Sequence, residues 1–200
     1  MARKVIISKD IILQAALNML IRDGYASINI KTLANEIGCS TQPIAWHFEN
    51  MEGLRSALAE YAITYAKNKM NATATTNAVE AFERTGRVYV DMAVNEPNLF
   101  RFLYLGENLS GKINNFEAIT TSKSNAEQIK RIADHLGISE DKVGRYLQNT
   151  IIYAHGVATL VATNVISASE EEMMTMINHA AEGFLIQEGV PIDKLPRKEE

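Results

Sequence analysis

Thr41, Gln42, Trp46 and His47 lie together in one short stretch, and their side chains suit one kind of surface. A glutamine amide pairs bidentately with an adenine edge, and a threonine donates, accepts or touches a thymine methyl. Indole and imidazole N–H groups donate to phosphate oxygens. The surrounding run is Leu33-Ala34-Asn35-Glu36-Ile37-Gly38-Cys39-Ser40-Thr41-Gln42-Pro43-Ile44-Ala45-Trp46-His47-Phe48. Two short helices meeting at a tight turn need a small residue where they approach, a glycine at the corner and an apolar anchor on the second helix. Ala34, Gly38 and Ile44 supply these. With Ile44 and Phe48 turned inward, Ser40, Thr41, Gln42, Ala45 and Trp46 are left outward, where they can reach base edges or phosphates. For Trp46 and His47 the alternative is packing beneath the following helix, and the stretch alone leaves both readings open.

The elements that position this stretch read as helices throughout, with almost no strand signal. Ile12, Ala15, Ala16, Met19 and Leu20 recur at helical spacing, with Ser8 as cap, Asp10 in the first turn and Gly24 as stop. Asn29 caps a second helix that ends at Gly38. Ser40 is expected to cap a third helix running to about His47, with Pro43 in its first turn, where a missing N–H costs little. Asn50 caps a fourth that runs toward Ala72. The Thr/Asn/Ala-rich run Asn71 to Asn77 reads as an interhelical junction. Further helices are expected over 78–95, 97–105, 124–136, 139–166 and 169–188, the stretch 106–122 being polar and ambiguous. The tail 191–200 reads as frayed.

The N-terminal part resembles the DNA-binding domain of TetR-family transcriptional regulators. The resemblance runs from about Ser8 to Tyr61. It rests on the Gly24-Tyr25 pair after the first helix, the capped second helix, the Gly38-x-Ser40 turn, the Trp46-His47-Phe48 run and Glu52-x-Leu54 opening the fourth helix. It implies that Lys31, Ser40, Thr41 and Gln42 contribute to base reading and that Trp46 and His47 contact phosphates. With the cap residue Asn29, these make up the expected DNA-binding set. Two positions depart from the family pattern: Ala45 stands where an aromatic is usual, and Met51 where a lysine commonly opens the fourth helix. Arg3, Lys4 and Lys9 are available to compensate.

Composition sets the bounds of this reading. The net charge of −4 argues at first against nucleic acid, but the chain through Arg55 carries +1 and the remainder −5, a weakly basic head on an acidic body. The single cysteine, Cys39, excludes an intramolecular disulfide and reads as a small packing residue beside Gly38. The apolar start at Val5-Ile6-Ile7 is too short for a secretory signal, and no run is long enough to span a bilayer, so a cytoplasmic protein is expected. His135, His155 and His179 lack metal-ligand spacing, so neither metal nor cofactor is expected. An enzyme would need a nucleophile–base pair, a phosphate-cradling glycine loop or clustered carboxylates; none is visible.

The expected architecture is therefore all-α. A three-helix helix-turn-helix domain (1–50) is followed by a larger helical effector-binding and dimerisation domain (51–190). The resemblance implies a homodimer joined through the last two long helices. Gly156, Ala158, Ala162, Ala180, Ala181 and Gly183 there permit close approach. The dimer would sit on a pseudo-palindromic duplex operator as a repressor released by a small apolar or amphipathic effector. Tyr89, Met92, Phe100, Leu103, Tyr104, Phe116, Tyr153 and His155 are the candidate effector contacts, although His155 suits a hydrogen-bonded core histidine better. Two rivals stand beside this: a DNA-binding regulator answering to a protein partner or to no ligand, and a helical enzyme or protein-interaction domain in which the helix-turn-helix is only scaffold.

Overall fold

A computed structural model describes residues 7–71, 78–106 and 123–195. The described residues are helical, in the order α1 (Lys9–Asp23), α2 (Ile30–Ile37), α3 (Gln42–Phe48), α4 (Met51–Asn71), α5 (Ala78–Asn95), α6 (Pro97–Tyr104), α7 (Lys123–Leu136), α8 (Glu140–Ala162) and α9 (Glu170–Gln187), with no strand among them. The chain forms two compact units, one of residues 1–69 and 95–113, the other of residues 70–94 and 114–200. The boundary expected at residue 50 falls inside the first unit. Phe116, Arg3, Lys4, the junction residues 72–77 and most of the ambiguous stretch lie outside the described residues.

In the first unit α1 packs against α2, α3 and α6. Ile12, Ala16, Leu17 and Leu20 of α1 are buried with Leu33 of α2, Ile44 of α3 and Leu54 and Leu58 of α4. At the start of α1 the Ser8 hydroxyl accepts from the Ile11 amide. At its end Gly24 adopts φ 82°, a left-handed conformation that costs glycine little, and donates to the Leu20 carbonyl. The carbonyls of Ile21 and Arg22 accept from the side-chain amide of Asn98 on α6 at 3.0 and 3.3 Å, so a residue far along the chain completes the end of α1.

Tyr25 explains the Gly-Tyr pair. Its ring stacks on Phe102 of α6, with centroids 5.3 Å apart, and the Arg55 guanidinium of α4 lies 4.4 Å from its centroid. Three segments thus meet on one phenol, whose burial pushes its pKa up. The C-terminal half of α4 is held by Glu96, which accepts from the Tyr65 hydroxyl at 2.8 Å and pairs with Lys69 at 3.1 Å.

The second unit is built on α8, which packs against α7 and α9. Its core cluster joins Ile132, Ala133 and Leu136 with Val143, Tyr146, Leu147, Leu185 and Val190, and Phe82 packs against it. A capping box opens α9: the Ser169 hydroxyl accepts from the Glu172 amide, and the Glu172 carboxylate accepts from the Ser169 amide at 2.7 Å. Arg145 of α8 grips Glu188 bidentately at 3.0 and 2.7 Å.

Two expected limits move. α8 ends at Ala162, not near Ile166, because Asn164 takes φ 58° and the amides of Val165 and Ile166 turn back to the Leu160 carbonyl. Where a frayed tail is expected, Ile192–Lys194 forms a 3-10 turn and Leu195 packs on the second unit's core; residues 196–200 lie outside the described residues.

Candidate nucleic-acid interface

α2 begins with a tight local network. The Asn29 side-chain oxygen accepts from the amides of Lys31 and Thr32, the Asn29 amide donates to the Thr32 hydroxyl, and that hydroxyl donates to the Ser27 carbonyl at 2.8 Å. Gly38 then turns left-handed at φ 76°, and the Cys39 amide returns to the Ala34 carbonyl. This turn delivers the chain to α3 with Thr41 already helical (φ −69°, ψ −17°), its carbonyl accepting from the Ala45 amide at 3.1 Å. Ser40 is therefore not the cap. The capping position is Thr41, and no side-chain hydrogen bond closes it, because a cap residue must be extended for its hydroxyl to reach back. Pro43 sits in the first turn as expected.

α3 is sharply two-sided. Ile44 is 1% exposed and Phe48 5%, whereas Trp46 is 78% exposed. Ser40, Thr41, Gln42 and Ala45 are exposed with it. Packing of Trp46 beneath α4 is thus overturned: the buried positions are already filled by Ile44 and Phe48. His47 is half-buried, and its Nε2 lies 3.1 Å from the carbonyl oxygen of Ile7, joining the segment ahead of α1 to α3. Its ring meets that of Trp46 edge-on, with centroids 4.7 Å apart. Lys31 and Asn29 are exposed on α2 and its cap, so the expected DNA-binding residues other than half-buried His47 are all at the surface.

Further residues position this face, some of them not singled out from sequence. Arg22 of α1 forks onto Glu36 of α2, both nitrogen–oxygen distances being 3.1 Å, and also bonds Asp23 at 2.9 Å. The bonded guanidinium holds the Glu36 carboxyl below its usual range, and the two carboxylates push the Arg22 pKa up. Lys9 lies over the Phe48 ring at 5.5 Å, bracing the buried end of α3. Gly53, in the first turn of α4, meets the Phe48 carbonyl so closely that a Cβ there would sit 2.3 Å from its oxygen.

The sequence of a family described as bacterial regulatory proteins, tetR family, matches residues 12–58, the span from α1 into α4. Residues 12–58, about a quarter of the chain, are a segment of that family. The fold agrees with the whole-chain likeness to a solved TetR. A glutamine-to-alanine variant of TetR from Acinetobacter baumannii AYE, crystallised in complex with minocycline, is 16% identical, with 91% of this chain and 98% of that chain covered and a TM-score of 0.56. No curated protein matches the chain.

Among the candidate effector contacts, Phe100, Leu103 and Tyr104 belong to the first unit and Tyr89, Met92, Tyr153 and His155 to the second. The Tyr89 hydroxyl lies 2.6 Å from His155 Nδ1, so His155 is a hydrogen-bonded, half-buried histidine, and burial lowers its pKa. Phe100 and Tyr104 pack ring to ring at 5.1 Å, and burial pushes the Tyr104 phenol up to about 12. An open groove of about 520 Å³ in the second unit is lined instead by α7 and α8, Glu140, Asp141 and Arg145 included, and by none of these candidates. Among the described residues no group of three or more His, Cys, Asp or Glu is placed to hold a metal ion, and no helix is long and apolar enough to cross a membrane.

Proposed function

We propose that this TetR-family protein is a homodimeric, cytoplasmic repressor that reads a pseudo-palindromic DNA operator with α3 and is released by a small effector. The observation that carries the reading is the division of α3: Ile44 and Phe48 anchor it, while Thr41, Gln42, Ala45 and Trp46 stand outward in a TetR-family helix-turn-helix. Gln42 and Thr41 supply the donors and acceptors for base edges, with Lys31 and Ser40 beside them. Trp46 is the candidate phosphate donor and His47 a candidate phosphate contact beside it, and the side-chain NH2 of Asn29 lies next to its capping oxygen. The expected domain division at residue 50 is kept as a functional one, with reading before it and response after it.

Dimerisation is supported by the outer faces of α8 and α9. Ile152 and Leu160 flank Gly156 on one, and Met176 and Ile186 flank Gly183 on the other; all six are exposed. A Cβ added at either glycine meets nothing within 4 Å, so space for a second helix exists there. An effector role is supported by the minocycline named for the TetR neighbour. The candidate contacts in the second unit are Tyr89, Met92, Tyr153 and His155, and those in the first are Phe100, Leu103 and Tyr104, each set taken by itself. An effector that binds the non-reading state better is reciprocally weakened by DNA.

The test is fluorescence anisotropy of the full-length protein with the intergenic DNA upstream of its own gene, beside scrambled DNA, across a salt series. Tight, salt-steep binding to the first, lost selectively in a Thr41→Ala/Gln42→Ala variant, is expected. Equal binding to both DNAs, unchanged in the variant, refutes sequence reading by α3.

A further inference from the structure

Trp46 is the chain's single tryptophan, and it stands on a seven-residue helix with 78% of its surface open to water. The core does not need it, since Ile44 and Phe48 already anchor α3. The ring is nevertheless braced. Its edge-on contact is with His47, and His47 is itself fixed through Nε2 to the Ile7 carbonyl. Next to it Ala45 carries a single methyl group and is exposed.

An indole has one N–H donor and no acceptor, and an apolar surface of roughly 150–250 Å². One hydrogen bond to a phosphate oxygen uses a corner of that surface and leaves the ring face unmatched. In the major groove the apolar group that distinguishes one base from the others is the thymine 5-methyl. We propose that Trp46 is a specificity-determining residue that selects thymine by packing its indole face on that methyl group. The inference rests on the reading of α3 as the DNA-facing helix, and adds to it a preference that hydrogen bonding by Gln42 and Thr41 does not supply.

The test begins with selection of duplexes from a random pool by the full-length wild-type chain. Each thymine of the selected duplex is then replaced in turn by deoxyuridine, which removes the methyl and leaves base pairing and phosphates unchanged. Affinities are measured for wild type, Trp46→Ala and Trp46→Phe, both variants substituting an exposed position. One thymine in each half-site is expected to lose about four-fold in wild type on conversion to uracil, the worth of one buried carbon. The loss disappears in Trp46→Ala and largely persists in Trp46→Phe, which keeps an apolar ring without the N–H. Equal weakening of thymine and uracil duplexes by both variants makes Trp46 a phosphate contact and overturns the proposal. Indifference of wild type to every uracil overturns it as well. A wild-type chain that enriches no sequence overturns the DNA-reading function itself and this inference with it, a result separated from the others at the first step.

Discussion

Ile44→Ala tests the claim that α3 is held by its inward side chains and not by its own helical tendency. A seven-residue helix lacking a side-chain cap is far below the length at which helices persist alone in water. The substitution removes three carbons from a side chain that is 1% exposed. At about 0.8 kcal/mol per carbon, with a cavity contribution added, the cost is about 2–5 kcal/mol. With a urea slope of about 2 kcal/mol per molar, the unfolding midpoint falls by roughly 1–2.5 M. Trp46→Ala, two residues along the same helix, deletes a larger side chain from the surface and is expected to stay within about 0.5 kcal/mol of wild type. Urea unfolding followed by far-UV circular dichroism compares the two at one fixed protein concentration, because the stability of the proposed dimer would depend on concentration. A midpoint for Ile44→Ala equal to wild type, or a larger loss for Trp46→Ala, refutes the division of α3 into anchored and open faces.

Leu160→Glu places a charge between Gly156 and the end of α8 on the exposed apolar face, and sedimentation velocity is expected to show a dimer becoming a monomer; a variant that stays dimeric moves the interface elsewhere. The single tryptophan makes intrinsic fluorescence a label-free reporter: iodide should quench Trp46 readily in the free protein and poorly on operator DNA, and unchanged quenching would remove α3 from the contact. His155 is held by burial below its ordinary value of 6.5, so the unfolded chain takes up its proton first. Stability is expected to fall as pH drops through about 6.5 and to level off below the folded value, and an NMR titration placing the imidazole at or above 6.5 would contradict this. Glu36 behaves as a carboxylate does: its stabilisation by Arg22 is present above the ordinary glutamate value of 4.5 and is lost as pH falls through the lowered one. Because the pair is exposed, the effect should be small and should vanish at high salt, so a salt-independent loss in Arg22→Met would point to packing instead.

What the sequence made legible was local. Ser8, Asn29 and Ser169 sit next to the amides they cap or oppose in the chain, and Gly24 and Gly38 take the left-handed turns that their type invites, so helix limits there could be read directly. The outward set on α3 was legible because a helix repeats every 3.6 residues, which puts Ile44 and Phe48 on one side and Trp46 on the other. Ser40 misled for a local reason too: its type suits a cap, but the turn after Gly38 winds the backbone into helical dihedrals one residue later. The early end of α8 was signalled by Asn164, a residue tolerant of positive φ, but the apolar Val165 and Ile166 masked it. The Asn98 bonds to the end of α1, the Arg22–Glu36 fork and the Tyr89–His155 pair join residues separated by 77, 14 and 66 positions, and no periodicity in the chain announces which distant partner a side chain will meet.

The two-sidedness of α3 also bears on how such a protein can change its target. Residues that support the fold at this helix, Ile44 and Phe48, are different residues from those that face outward, so substitutions at 41, 42, 45 and 46 carry little folding penalty. The outward face behaves as an interchangeable cartridge in a fixed socket. A library varied at those four positions should yield mostly folded proteins, and new operator preferences could accumulate by drift or selection without compensating mutations elsewhere. Gly53 marks the edge of that freedom: a Cβ there would crowd the Phe48 carbonyl at 2.3 Å, so the socket itself admits no side chain without shifting its backbone.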